Sequence, residues 1–225
     1  MDSKISTIIF DLDDTLYEEM QFVKGGFKVV SEYLSKEFNV DRKSTYLLLL
    51  DILEKRGRGK IFDIALEKLE ISNNKLVEKL VYIYRTHEPN ISLHKDAVKT
   101  LDYFKKNNYK LGIITDGNVD VQKNKFQSLN FNVEFDAIIY SDEYGISNRK
   151  PSTSPYKKAL NKIGCKGNEA VYIGDDPNKD FIGAKKLGIL TIRILRGKYK
   201  DIRLSKDYEA EFKITNLEQI KRIIS

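Results

Sequence analysis

Three aspartates crowd the segment FDLDDTL, residues 10–16, where a short apolar run ends. Asp11, Asp13 and Asp14 follow the apolar letters IIF within four positions. Carboxylates at the end of a buried strand repel one another and lose hydration, which raises the free energy of their charged forms. We therefore expect a compensating positive group beside them.

Further polar groups follow the later apolar runs of the chain. In an open parallel sheet, ligands bind outside the carboxyl ends of the strands, so groups at these positions converge on one crevice. The groups are Thr115, Asp116, Gly117 and Asn118 after KLGIIT, Lys150 in RKPS after DAIIY, and Asp175, Asp176 and Asp180 in GDDPNKD after AVYI.

The acidic members of this set predict a magnesium site. Asp11, Asp13 and Asp175 offer the hard oxygen ligands that Mg²⁺ prefers, and a divalent cation would offset their repulsion. Mg²⁺ takes few protein carboxylates and leaves positions for water or a substrate phosphate.

The remaining groups predict a phosphate-binding site. The Thr115 hydroxyl and the backbone N–H groups around Asp116 and Gly117 can hold phosphate oxygens. Asn118 completes this predicted substrate-binding set, and Lys150 adds a compact positive charge. A positive cradle beside a carboxylate–metal cluster is equipment for phosphoryl transfer.

The elements that position these groups alternate between strands and helices. Such alternation predicts an α/β fold, a Rossmann-like parallel sheet with helices on both faces. Expected strands are 5–10, 110–115, 136–140, 170–173 and 189–194, and expected helices are 119–129, 155–163, 178–187 and one that begins near Asn216.

The region from 18 to about 92 lacks any strand pattern and has helical periodicity instead. Its breaks predict four helices inserted after the first strand. The breaks are Asn39–Asp41, Gly57–Gly59 and Ser72–Asn74. We therefore predict an α/β core of residues 1–17 and 93–225 and an all-helical cap of residues 18–92.

Two features of the predicted cap have open roles. The segment KRGRGK, residues 55–60, has two possible interpretations. It is either a solvated turn, or a mobile loop whose cations bind the non-reacting part of an anionic substrate. For His87, a hinge or surface role is favoured over a catalytic one.

Together these motifs resemble the haloacid dehalogenase superfamily of phosphohydrolases, in the subgroup with a helical cap inserted after the first motif. DLDDTL resembles its first motif, IITDGN its second, the lysine of RKPS its third and GDDPNKD its fourth. DxD alone is a weak signal, but four motifs in this order along nearly the whole chain are specific.

The resemblance implies a role for each matching residue. Asp11 would be the nucleophile that forms an aspartyl-phosphate, and Asp13 would be the general acid and then the general base. Thr115 and nearby amides would hold the transferring group. Lys150 would neutralise charge on that group and on Asp11.

The resemblance also implies how the metal is held. Asp11, the backbone carbonyl of Asp13 and Asp175 would bind Mg²⁺. Asp180 would support these ligands from outside the coordination shell, paired with Lys150. Asp176 is either a direct ligand or such a supporting residue.

Alternative functions remain open at this point. A phosphomutase shares the same machinery and differs only in the group that receives the phosphate. A 2-haloacid dehalogenase needs no metal and no acid two residues after the nucleophile, so Asp13, Asp175 and Lys150 disfavour it. A non-catalytic binding protein is disfavoured by the intact pair of Asp11 and Asp13.

Composition limits the remaining classes. The 225 residues carry a net charge of +6 spread along the chain, which is weak support for nucleic-acid binding. One cysteine suits a reducing compartment. The chain begins without a signal-peptide pattern and contains no membrane-length apolar run. We expect a cytoplasmic, monomeric enzyme that acts on a small phosphorylated metabolite and binds neither nucleic acid nor membranes.

Overall fold

The computed structural model describes residues 4–71 and 75–224, so the predicted break at Ser72–Asn74 lies outside the described residues. The chain divides into two compact units, one of residues 1–19 with 91–225 and one of residues 20–90. We propose that these units are the predicted core and cap. Among the helices described, none is long and apolar enough to cross a membrane.

The first unit contains a six-stranded, wholly parallel sheet in the order β3-β2-β1-β4-β5-β6. This sheet and its helices confirm the predicted α/β fold. The strands are β1 (Thr7–Phe10), β2 (Lys110–Thr115), β3 (Ala137–Tyr140), β4 (Ala170–Gly174), β5 (Leu190–Ile194) and β6 (Phe212–Ile214).

The central strands are apolar along their length because both faces of the sheet are covered. Every residue of β1 and β4 is buried. One core cluster joins Ile9 of β1 and Tyr172 of β4 to Tyr156 and Ala159 of a helix. The helices of this unit are α5 (Lys95–Lys106), α6 (Val119–Ser128), α7 (Ser154–Ile163), α8 (Ile182–Lys185) and α9 (Ile220–Ile223).

Among the described residues, helix α5, strand β6 and helix α8 differ from the sequence prediction. Helix α5 and strand β6 were not predicted, and the helix expected over 178–187 is restricted to α8, Ile182–Lys185. Residues 178–180 form a turn instead, because the Asp176 carboxylate accepts a hydrogen bond from the Asn178 backbone N–H at 3.0 Å. The backbone N–H of Asp176 in turn donates to Asp180 at 2.9 Å.

In the part of the second unit that the structure describes, four helices surround an apolar core. Asp41 caps the second helix by accepting a hydrogen bond from the Ser44 backbone N–H at 2.7 Å. Phe27, Leu49 and Leu80 lie in the core. The helices are α1 (Glu19–Phe38), α2 (Arg42–Arg56), α3 (Ile61–Lys68) and α4 (Leu76–Thr86).

His87 is buried in the helical unit rather than exposed at its surface. Its Nδ1 lies 2.7 Å from the Tyr84 carbonyl oxygen, and its ring packs against Phe22 at a centroid distance of 4.5 Å. The surface role considered for His87 is therefore wrong, because its ring fills space between α1 and the end of α4.

Candidate active site

The order of the strands brings three of the predicted residues to one edge of the sheet. Strand β1 lies between β2 and β4, and the chain crosses over the sheet from β3 to β4. Asp11, Thr115 and Asp175 stand at or just after the carboxyl ends of these adjacent strands. The Asp11 backbone N–H donates to the Ile173 carbonyl at 2.8 Å, which continues the pairing of β1 with β4. Such a switch point is where open α/β sheets bind ligands.

Lys150 supplies the positive group that the crowded aspartates require. Its side chain is fully buried, and its Nζ donates to Asp11 Oδ1 at 2.6 Å, Asp180 Oδ1 at 2.8 Å and the Tyr172 hydroxyl at 2.9 Å. Although burial alone would lower the pKa of Lys150, the charges of Asp11 and Asp180 raise it well above its usual value. The amine therefore stays charged beside Asp11.

A cluster of three buried carboxylates has the composition of a cation site. Asp11, Asp175 and Asp180 each place one oxygen within 4.8 Å of the others. Both oxygens of Asp180 already accept hydrogen bonds, from Lys150 and from the Asp176 backbone N–H. Within this cluster, the side chains of Asp11 and Asp175 are therefore the ones that can bind an ion. A Cβ at Gly174 would overlap Asp180, so glycine permits this close approach.

The electrostatics of the cluster fit a bound divalent cation. Burial, together with the charges of neighbouring aspartates, raises the pKa of Asp175 to about 9. Burial also raises the pKa of Asp11 to about 7, against the opposing charge of Lys150. A hard divalent cation would stabilise the ionised carboxylates of Asp11 and Asp175. Mg²⁺ is commonly bound by one or two carboxylates, so it matches this pair. The predicted Mg²⁺ cofactor therefore fits the residues present.

Asp13 faces a different set of partners from Asp11. Its Oδ1 accepts hydrogen bonds from Lys125 Nζ at 2.7 Å and the Tyr17 hydroxyl at 2.5 Å, and its Oδ2 accepts one from Gln122 Nε2 at 2.9 Å. Burial alone would raise the pKa of Asp13, but the charge of Lys125 and these hydrogen bonds lower it to about 2. The two acids of the first motif are thus held in contrasting surroundings.

The segment after β2 is held by its own hydrogen bonds. The Asp116 carboxylate accepts from the Ser141 hydroxyl at 2.6 Å and from the Lys150 backbone N–H at 3.2 Å. The Gly117 backbone N–H donates to Asp142 at 3.3 Å. Asn118 is the N-cap of α6, with its side chain accepting from a backbone N–H at 3.2 Å. Their substrate-binding roles stay predictions.

Asp176 is buried, but its side chain serves the local turn. Its Oδ1 accepts hydrogen bonds from both the backbone N–H and the side-chain amide of Asn178, at 3.0 and 2.7 Å. These contacts favour a supporting role over direct metal binding, and the assignment stays a prediction.

The sequence analysis missed Tyr17, Gln122, Lys125 and Tyr172, which contact Asp13, Thr115 or Lys150. For two of them a signal exists. The buried residues of α6 are Gln122 and Lys125, so polar groups occupy the face on which a helix normally places apolar ones. Tyr17 and Tyr172 offer no such signal, because an aromatic side chain in a core segment is ordinary.

Comparison with known proteins shows the family. The family model for haloacid dehalogenase-like hydrolases matches residues 8–194 of this chain. The chain belongs to this family, as the four motifs predicted, and it is an enzyme of the hydrolase class.

Similar proteins support the assignment over the whole chain. Glyceraldehyde 3-phosphate phosphatase of Methanocaldococcus jannaschii is 34% identical over 98% of this chain and 97% of its own length. The protein of the same name from Pyrococcus furiosus is 32% identical over 98% and 93%. The magnesium-bound putative hydrolase YfnB from Bacillus subtilis has the same fold, with a TM-score of 0.69 at 16% identity over 99% of this chain and 100% of that one.

Proposed function

We propose that the protein is a Mg²⁺-dependent phosphatase that hydrolyses a small phosphorylated metabolite through an aspartyl-phosphate on Asp11. The observation that carries the proposal is the buried Asp11 carboxylate, held by Lys150 at 2.6 Å at the switch point of the sheet. A carboxylate oriented by a fixed cation is placed to attack an electrophile that brings its own negative charge.

In the first step, an Asp11 oxygen forms a bond to phosphorus while the bond from phosphorus to the ester oxygen breaks. Asp13 gives a proton to the leaving oxygen, which departs as an alcohol. Asp13 must therefore be protonated when the substrate is bound, although its partners lower its pKa in the free protein. Thr115 binds an oxygen of the transferring group, and Lys150 offsets the charge that develops on it.

In the second step, water attacks phosphorus and the bond from phosphorus to Asp11 breaks. Asp13 takes a proton from that water, which returns both acids to their starting states. Inorganic phosphate is the product.

Mg²⁺ would be held by the side chains of Asp11 and Asp175 and by the backbone carbonyl of Asp13. When bound, the ion neutralises negative charge on the phosphoryl oxygens. Asp180 keeps Lys150 in place, because their atoms are 2.8 Å apart and both side chains are fully buried.

A three-carbon sugar phosphate is the first substrate to test. Both relatives described above carry the name glyceraldehyde 3-phosphate phosphatase, and they match almost the whole chain. A phosphomutase would use the same groups and pass the phosphoryl group to a sugar hydroxyl instead of water. Release of inorganic phosphate distinguishes the two activities.

Removal of the metal should abolish phosphate release. We expect activity on glyceraldehyde 3-phosphate, within a panel of sugar phosphates, nucleotides and acid phosphates, to vanish in EDTA and to return with Mg²⁺. Excess Ca²⁺ should suppress it, because its larger coordination shell fits in-line attack poorly. Full activity in the chelator would contradict the metal assignment. If none of the compounds in the panel released phosphate, that result would contradict the proposed function.

The segment 55–60 borders a cavity within the helical unit. Arg58 and Lys60 line this cavity of about 300 Å³ together with the aromatic residues Phe27, Phe62 and Tyr84. The cavity offers cations beside an apolar wall, which suits an anionic organic molecule. The proposed role of the segment in substrate selection stays a prediction.

A loss of activity on the metabolite but not on a small aryl phosphate tests that role. In Arg58→Ala and Lys60→Ala we expect kcat/KM for the best metabolite to fall by about tenfold, because remote contacts contribute binding energy only to a substrate that makes them. Hydrolysis of p-nitrophenyl phosphate should not change. Lys43→Ala, an exposed change elsewhere in the helical unit, is the control. Unchanged kinetics on both substrates would leave the segment as a solvated turn.

A further inference from the structure

The buried face of α6 carries a lysine and a glutamine where a helix against a sheet normally carries apolar residues. Lys125 is 4% exposed and Gln122 is 2% exposed. Burying an amine and an amide costs free energy unless each finds charged or polar partners. Their partners therefore explain why these residue types occupy the face.

Both side chains are directed at Asp13. Lys125 Nζ lies 2.7 Å from Asp13 Oδ1, and Gln122 Nε2 lies 2.9 Å from Asp13 Oδ2. Because the residues are three positions apart, they lie on the same face of the helix and can contact the two oxygens of one carboxylate. The Tyr17 hydroxyl approaches the same oxygen as Lys125, at 2.5 Å.

Gln122 also connects Asp13 to the predicted phosphate-binding residue. Its Nε2 is in close contact with the Thr115 hydroxyl as well as with Asp13. One amide group thus contacts the side chain expected to transfer the proton and the side chain expected to hold the phosphoryl group. The distance between those two groups is set partly by α6.

We propose that Lys125 and Gln122 are positioning residues, which orient the Asp13 carboxyl for its proton transfers and keep it in register with Thr115. This inference rests on the proposed function, since it assigns the pair to the same reaction. Neither residue contacts the reacting atoms in this account, so both act through Asp13. Misplacing a reacting group by about 1 Å can cost about 10²-fold in rate, which is the scale of effect expected here.

The test compares Lys125→Met with Lys123→Met. Lys123 is on the same helix, but its side chain is 46% exposed and pairs with Glu143 at 2.8 Å outside the site. We expect Lys125→Met to lower kcat by about 10- to 100-fold with little change in KM, because orientation matters at the chemical step. Lys123→Met should keep the wild-type kcat. Equal kcat values for the two variants would overturn the proposal.

A double-mutant cycle separates positioning from general damage to the fold. If Lys125 acts through Asp13, then Lys125→Met should reduce kcat by less than about twofold when Asp13 is already asparagine. An equal, additive loss in the Asp13→Asn background would overturn the proposal. Lys125→Gln repeats the cycle with a polar side chain beside Asp13, and Gln122→Met repeats it at the second contact. Thermal unfolding confirms that each variant is folded.

A structural readout separates this inference from the proposed function. A crystal structure of Lys125→Met should show the Asp13 carboxyl rotated away from its wild-type orientation, whatever substrate the enzyme uses. An unchanged Asp13 in that variant would overturn the positioning role. Absence of phosphatase activity in both wild type and Lys123→Met would instead contradict the proposed function.

Discussion

Asp11→Asn should abolish phosphate release while the protein stays folded. The amide nitrogen cannot attack phosphorus, and loss of a nucleophile can lower kcat by a factor on the order of 10⁶. The amide oxygen can still accept the hydrogen bond that Lys150 donates to Asp11 at 2.6 Å, so the core should keep its packing. Steady-state phosphate release and thermal unfolding measure the two expectations.

Mass spectrometry of acid-quenched enzyme gives a second test of the nucleophile. Wild type mixed with substrate should gain the mass of one phosphoryl group on a peptide that contains Asp11, and Asp11→Asn should not. Asp201→Asn, a change at an exposed position, is the matched control and should behave as wild type. Near-wild-type turnover by Asp11→Asn would remove the proposed mechanism.

Lys150→Met should lose both activity and stability. The change leaves Asp11 and Asp180 buried without the amine that contacts both at 2.6 and 2.8 Å. Breaking a buried ion pair by removing one partner costs about 3–5 kcal/mol, so the free energy of unfolding should fall by that amount. Urea unfolding at neutral pH without added metal measures it, since a bound cation would mask part of the loss.

Two further variants make the Lys150 result specific. Lys157→Met removes an exposed lysine from α7 and should leave both stability and activity unchanged. Adding Asp180→Asn to Lys150→Met should restore part of the stability, because one unpaired buried charge is removed, but it should not restore activity. Wild-type stability in Lys150→Met would show that the buried aspartates do not depend on the amine.

The fold was predictable where its signals were local and strong. The central strands are buried on both faces and therefore appear as continuous apolar runs. Strand β6 has three residues, of which Phe212 and Lys213 are exposed, so it offers no run to detect. Helix α5 did carry a signal, since Ala97, Leu101 and Phe104 recur at helical spacing and are buried.

The sequence by itself determined which acids, hydroxyl and lysine could perform the chemistry. Asp11, Thr115 and Asp175 follow apolar runs, and a parallel sheet brings the carboxyl ends of its strands to one edge. The position of each residue directly after an apolar run therefore implied that the three side chains lie close together in the fold. The family assignment followed from the same residues.

Only the tertiary structure decided how the two acids of the first motif differ. Lys150 lies 139 positions from Asp11, and Lys125 lies 112 positions from Asp13, yet each lysine contacts its own aspartate. The pKa of a carboxyl depends on burial and on charges within a few ångströms, and neither is written in the local sequence. Packing of α6 against the site thus gives Asp13 its partners Gln122 and Lys125, while the loop before α7 gives Asp11 the partner Lys150.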